Sequence, residues 1–371
     1  MKFVIERAAL LKSLGHVQSV VERRNAIAIL SNVLIEAAGG RVSLATTDMD
    51  VAITDSTEAE IATEGATTAP VHTLYDIVRK LPEGAQVEIE SDGAGRMVLR
   101  AGRSTFNLSC LPKEDFPVPS EGEYSHRFTL PAEELRALID RTRFAISTEE
   151  TRYYLNGIFV HSAEEDGVRV LRAVATDGHR LARIQMPQPD GAGDMPGIIV
   201  PRKAVNELRK LIDESTDPVD IALSDSRIRF TFDAMVIGSK LIDGTFPDYQ
   251  RVIPEGNDKM LEVDCREFTA AVDRVSTIST EKSRAIKLAV DKGNLVLSAS
   301  SPDNGTATEE LEVSYGADAI EIGFNSRYLL DITQQIEGNG AQFALSDPAS
   351  PTIIQDTADK SALYVLMPMR V

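Results

Sequence analysis

The sequence predicts an α+β fold of three similar domains, each with two helices packed on antiparallel sheets. Three observations carry this. A β-type run followed by a helix-period pattern opens the chain and recurs twice, a hairpin turn follows each helix at nearly constant spacing, and each unit closes on a related strand.

In chain order, the openings are KFVIERAALLKSLGHVQSVV from Lys2, RFTLPAEELRALIDRTRFAI from Arg127 and MLEVDCREFTAAVDRVSTI from Met260. Helical spacing places Leu11, Leu14, Val17 and Val21 on one face of the first helix. It does the same for Leu135, Leu138 and Ile139 in the second and for Phe268, Val272 and Val275 in the third. Hairpins then turn at Gly39-Gly40, Asp166-Gly167 and Lys292-Gly293-Asn294, each between strand-like runs. Gly40 and Gly167 are 127 residues apart, Gly167 and Gly293 126. Second helices follow from Thr73, Arg202 and Ser326, and second hairpins turn at Ser91-Asp92-Gly93, Ser224-Asp225-Ser226 and Asp347-Pro348. The closing strands are FNLSCLP, IGSKLID and LYVLMPM. Linkers rich in Pro, Gly and acidic residues fall near Pro117 to Ser125 and Pro254 to Asp258, giving domains at 1–122, 127–253 and 258–371. Repeated units of this kind invite edge strands of one to pair with the next.

The 371 residues carry a formal charge of −18, which taken alone argues against nucleic acid as a partner. The charge is unevenly placed. The six helix segments sum to +6, so strands, loops and linkers must carry −24 to give the total of −18. A basic helical side on an acidic molecule suits a non-specific polyanion channel with a repelling outer wall. Lys and Arg also simply favour helices. Aromatics at 5% and the absence of Trp argue against a stacking platform for single strands.

Cys110 and Cys265 fit no metal-ligand or disulfide spacing, which suits a reducing compartment. Glu6 and Arg7 interrupt the N-terminal apolar stretch, and no later run approaches a membrane span of about 18 residues, so a soluble cytosolic protein is expected.

The densest polar constellation is ATDGHRLAR, Ala175 to Arg183. Asp177 and His179 could serve a metal-dependent hydrolase, but one Asp and one His fall short of a metal-ligand set. Thr47-Asp48 matches Thr176-Asp177 in the first unit, where nothing matches His179. The shared pair is expected to form an Asx-type turn. RYYLNG from Arg152 and FPDYQRV from Phe246 carry Tyr and Arg in Pro or Gly settings. The terminal Met367, Pro368 and Met369 combine adaptable side chains with a residue that blocks ladder pairing, as suits a groove for varied apolar peptides; a core strand is the plainer reading.

MKFVIER, RYYLNG, TDGHRLA, VPRKAV, LIDGTFPDYQRV, EIGFNSRYLLDI and the terminal MPMRV together resemble the bacterial DNA polymerase III β subunits, the replicative sliding clamps, over the whole chain. The resemblance implies three DNA-clamp domains per chain and a head-to-tail homodimer whose six domains close a ring around duplex DNA. It implies no catalysis, cofactor or metal. The partners it implies are double-stranded DNA, bound without sequence preference, a second copy of the chain, the replicative polymerase alpha subunit and the clamp loader. Translesion polymerases, mismatch-repair proteins and ligase would join through clamp-binding peptides, with no membrane partner. The expected location is the cytoplasm, at nucleoid-associated replication forks.

Residue by residue, the resemblance implies a DNA-facing role for Arg24, Arg79, Arg152, Tyr153, Tyr154 and Lys203, with Glu149 left out of that set. The implied partner-peptide pocket comprises Leu155, Thr176, Gly178, His179, Arg180, Leu181, Pro247, Arg251, Val252, Asn325, Tyr328, Val365, Leu366, Met367, Pro368, Met369 and Arg370. His179 and Arg180 would be rim residues, and Leu155, Leu181, Val252, Val365 and Met367 the apolar cavity. Ser283 and Pro351 depart from the family pattern at the pocket's outer edge. Phe106 and Leu108 on one side and Ile278 on the other would form the dimer seam.

Overall fold

A computed structural model describes residues 1–117, 122–279 and 284–371. Among these, six α-helices form where the sequence places them: α1 Arg7–Gln18, α2 Val71–Lys80, α3 Ala132–Arg143, α4 Arg202–Ile212, α5 Cys265–Ser276 and α6 Ser326–Thr333. Each follows a strand, directly in five cases and after Pro131 in α3. The turn into α5 is fixed by Asp264, whose carboxylate accepts from the backbone N–H groups of Arg266 (3.0 Å) and Glu267 (2.9 Å), satisfying two donors that the first helical turn leaves unpaired. Asn325 caps α6 in the same way through the Arg327 N–H. The open end of α2 is closed by Arg7, which donates to the carbonyls of Val78 and Arg79.

The helix faces match the expected ones with one correction. Leu135, Leu138, Ile139, Phe268, Val272 and Val275 are buried, but in α1 the buried register runs through Leu10, Leu14 and Val17, with Leu11 only half-buried. Leu10 and Leu11 are adjacent and equally apolar, so the packing register of α1 on its sheet, rather than periodicity, chooses between them. Val21 is buried beyond the helix end.

The chain forms two compact units. One comprises Met1–Arg136, Pro189–Ala192 and Lys203–Leu241, the other Ala137–Gln188, Gly193–Arg202 and Ile242–Val371. The second sequence repeat is thus divided between them. The reason lies in the sheets, which ignore the repeat boundaries.

In the first unit an eight-stranded antiparallel sheet joins strand Val51–Glu58 of repeat one to strand Met235–Lys240 of repeat two, with Ile237 opposite Ile53. In the second, a nine-stranded sheet joins Arg180–Pro187 of repeat two to Ala362–Leu366 of repeat three, with Leu181 opposite Val365. Edge strands of neighbouring repeats therefore do pair. Alternating burial along strands such as Val51–Glu58 and Arg227–Phe232 points every second side chain at the core. Each unit also has a smaller sheet. The five-stranded sheet of the first ends at Ser104–Ser109, and the four-stranded sheet of the second ends at Gly305–Glu312.

Candidate functional site: an apolar pocket beside the C-terminal strand

The pocket residues lie together in the second unit. Of the residues assigned to the pocket, Leu155, Leu181 and Val365 belong to a hydrophobic cluster with Val174, Ile199, Phe246, Tyr249 and Leu363, all buried. Within it the Phe246 ring stacks 4.8 Å from that of Phe159, and Tyr249 is fixed by a 3.0 Å hydrogen bond between its hydroxyl and His161 Nε2. Burial, with Arg172 nearby, holds His161 below its usual range, so its ring favours the neutral form. Leu155, Leu181 and Val365, which the resemblance assigns to the apolar cavity, are 5%, 2% and 2% exposed. Val252 and Met367 are half exposed, at 50% and 42%, and offer loose apolar surface instead. Pro247 and Arg251 are exposed on the same side, Arg251 paired with Asp248 at 2.8 Å.

The loop of residues 176–180 is built from its own side chains. Thr176 Oγ1 accepts from the Gly178 N–H (3.1 Å) and donates to the Arg180 carbonyl (2.7 Å), while Asp177 Oδ1 accepts from the N–H groups of His179 and Arg180. Thr47 and Asp48 repeat the pattern with Met49, Asp50 and Val51. Asp177 is thus a turn residue. Among the described residues no group of three or more His, Cys, Asp or Glu could hold a metal ion. Gly178 sits at φ +89°, where a β-carbon would also lie 2.8 Å from Arg152 Nη1. His179 is exposed, its ring 6.3 Å from that of Tyr328.

Arg180 is not a rim residue. It is 9% exposed, and its guanidinium reaches Asp331 (2.6 Å), Asp177 (3.2 Å) and the Phe144 carbonyl (2.6 Å) while lying 4.2 Å from the centre of the Tyr328 ring. A buried cation demands such satisfaction. Arg180 therefore ties the loop to α6 and to the end of α3, and burial with Asp177 nearby raises the Tyr328 hydroxyl above its ordinary pKa. Asn325 is committed to its cap. Past Leu366, the Met367 N–H donates to the His179 carbonyl and the Met369 N–H to that of Gly323, so the tail with Pro368 and Arg370 is held along one wall. The Pro351 carbonyl accepts from Asn257 in the second linker, which the sequence did not indicate. Ser283 and part of the first linker lie outside the described residues.

Sequence reasoning missed Phe246 and Tyr249 as members of the buried cluster and Asp331 and Phe144 as partners of Arg180. As sequence, FPDYQRV stands out only for carrying Tyr and Arg in a Pro setting. Nothing in sequence connects Asp331 to a residue 151 positions away.

The proposed DNA-facing residues divide between the units. In the first, Arg24 and Arg79 are exposed, Arg79 over the Tyr75 ring and 3.2 Å from Asp76. Lys203 is already engaged, its ammonium bonded to Asp48 and to the Val20 carbonyl at 3.1 Å. Although burial opposes ionisation of Asp48, the Lys203 bond and two backbone N–H bonds hold its carboxyl below the usual range. The lysine expected to face DNA thus also has partners within its own unit. In the second unit Tyr153 is 53% exposed, Tyr154 packs against the pocket cluster, and Arg152 pairs with Glu149 at 3.3 Å.

Three repeats with strands shared across their boundaries, each with helices on antiparallel sheets, are the architecture of a clamp-type protein. Models of the DNA polymerase III beta subunit match in order: its N-terminal domain at residues 1–120, its central domain at 129–248 and its C-terminal domain at 250–370. A beta sliding clamp of Caulobacter vibrioides is 56% identical over 372 residues, covering all of both chains. Among solved structures, a Bartonella birtlesii sliding clamp bound to griselimycin is 51% identical with a TM-score of 0.97, and Caulobacter crescentus pol III beta is 55% identical with 0.95, each covering all of both chains. The chain belongs to the bacterial DNA polymerase III beta subunit family, the beta sliding clamps, non-catalytic processivity factors that act with DNA and the polymerase. It is not a hydrolase.

Proposed function

We infer that two copies of this chain close head to tail into a ring around duplex DNA and that the pocket beside the C-terminal strand receives partner peptides. What supports the peptide-receptor part of the reading is a buried apolar cluster with Val252 and Met367 half exposed, beside a loop held by the Thr176 and Asp177 side chains and a tail held by two backbone hydrogen bonds. Griselimycin, which the Bartonella relative binds, is expected to bind here too. The peptides would come from the polymerase alpha subunit, the clamp loader, translesion polymerases, mismatch-repair proteins and ligase.

The three domains of the reading are residues 1–122, 127–253 and 258–371, close to the family-model ranges. Phe106 and Leu108 are half-buried on strand Ser104–Ser109, an unpaired sheet edge, and Gly305–Glu312 is another such edge; Ile278 is likewise half-buried. Exposed edges of this kind are suited to pairing across chains. The +6 on the helix segments against −24 elsewhere suits sequence-independent DNA contact by Arg24, Arg79, Arg152, Tyr153 and Tyr154. Among the described residues no helix is long and apolar enough to cross a membrane, and the proposed location is the cytoplasm, at nucleoid-associated forks.

The test is topological. A dimeric mass in solution and retention on nicked circular DNA after loading, lost on linearising the circle, are expected. A monomer retained equally on both DNAs overturns the ring.

A further inference from the structure

The C-terminal tail leaves its sheet at Leu366, and Pro368 has no N–H to continue the ladder. Two backbone bonds then hold it, one from Met367 to the His179 carbonyl (2.9 Å) and one from Met369 to the Gly323 carbonyl (2.8 Å), the latter an isolated antiparallel bridge. On another side lies a groove of about 1070 Å³, lined by Pro368, Met369, Val371, Ala285 and Lys287, so side-chain packing there does not fix the tail. Gly323 is buried within strand Ile320–Asn325, at a position where nothing in its φ requires glycine. Space does. A β-carbon on Gly323 would lie 2.5 Å from the Met369 carbonyl oxygen and 2.7 Å from Val371 Cγ2, with Val371 Cγ1 closer still. The three nearest obstacles are all atoms of the tail.

We propose that Gly323 is a positioning residue for the pocket: its bare backbone is the seat on which Met369 and Val371 rest, and that seat sets where Met367 stands at the pocket mouth. The argument rests on the peptide-pocket reading above only for its effect on binding. A methyl at position 323 would lift the tail, break the Met369 bridge and move Met367, without altering Leu155, Leu181 or Val365.

The test uses the full chain with Gly323→Ala, read by amide hydrogen exchange of residues 367–371 and by griselimycin affinity. Loss of tail protection at least tenfold, with a Kd at least tenfold weaker, supports the seat. Wild-type protection with a Kd within twofold of wild type overturns it. If the wild-type chain binds no griselimycin but Gly323→Ala still frees the tail, the pocket reading falls and the seat stands. A second pair guards against general destabilisation. In chains ending at Leu366 the obstructing atoms are absent, so Gly323→Ala is expected to leave the melting temperature unchanged there; a clear drop in that background would assign the effect to the strand itself and sink the proposal.

Discussion

Replacing Arg180 with alanine tests whether the pocket is held together from beneath. The guanidinium makes charge-assisted bonds to Asp331, Asp177 and the Phe144 carbonyl and lies over Tyr328, with 9% of the residue exposed. Truncation removes the guanidinium from both the Asp177 and the Asp331 carboxylates. Breaking one side of a buried ion pair costs about 3–5 kcal/mol. At roughly 2–4 °C per kcal/mol for a unit of this size, that corresponds to a melting transition lowered by about 10 °C. Differential scanning calorimetry of the full chain is the assay, followed by griselimycin titration below the lowered transition. Arg180→Lys should recover only part of the loss, since one ammonium cannot span three acceptors and stack on a ring. If Arg180→Ala melts within a degree or two of wild type and loses only ligand affinity, Arg180 is a rim contact after all and the internal-tie argument is wrong.

His16 gives a pH signature. Burial works against its protonation, but Asp55 at 2.7 Å and Glu214 at 3.4 Å, the latter also beside Lys12, win and raise its pKa above 6.5. Its stabilisation is therefore complete below pH 6.5 and lost as pH climbs through the raised value, so melting temperature should fall over that window in wild type and stay flatter in His16→Asn. Lys203→Ala should lower stability by about 1–3 kcal/mol by stranding Asp48, seen in denaturant titration, with little effect on loading. Arg24→Ala with Arg79→Ala should do the reverse, weakening loader-assisted retention on circular DNA at unchanged melting temperature. Leu108→Asp should convert a dimer to monomers in sedimentation; a surviving dimer would move the seam elsewhere.

The sequence made the repeats legible because local chemistry specifies them. Turn glycines, capping Asp264 and Asn325 and period-2 strands act within a few residues of themselves. The Asx turn at Asp177 was readable for the same reason, helped by its echo at Asp48. What depended on distant partners was not. Whether Arg180 faces solvent or Asp331, whether Lys203 is free or bound to Asp48, and whether Leu10 or Leu11 is buried are decided by tertiary packing. The residues proposed for the pocket, polar and apolar alike, followed from the family resemblance, whereas the burial of Phe246, Tyr249 and Ile199 in one cluster with Leu155, Leu181 and Val365 emerged only with the packing.

The strands that run across repeat boundaries have a mechanical consequence. At each junction five residue pairs lie in register, from Met235 opposite Asp55 to Ser239 opposite Val51, and from Arg180 opposite Leu366 to Ile184 opposite Ala362. A pull along either pair of strands loads those ladder bonds in shear, together rather than one at a time. Neither junction can act as a soft hinge. In the proposed ring, a seam built on the free edges Ser104–Ser109 and Gly305–Glu312, which carry no such ladder within the chain, is expected to yield before either junction.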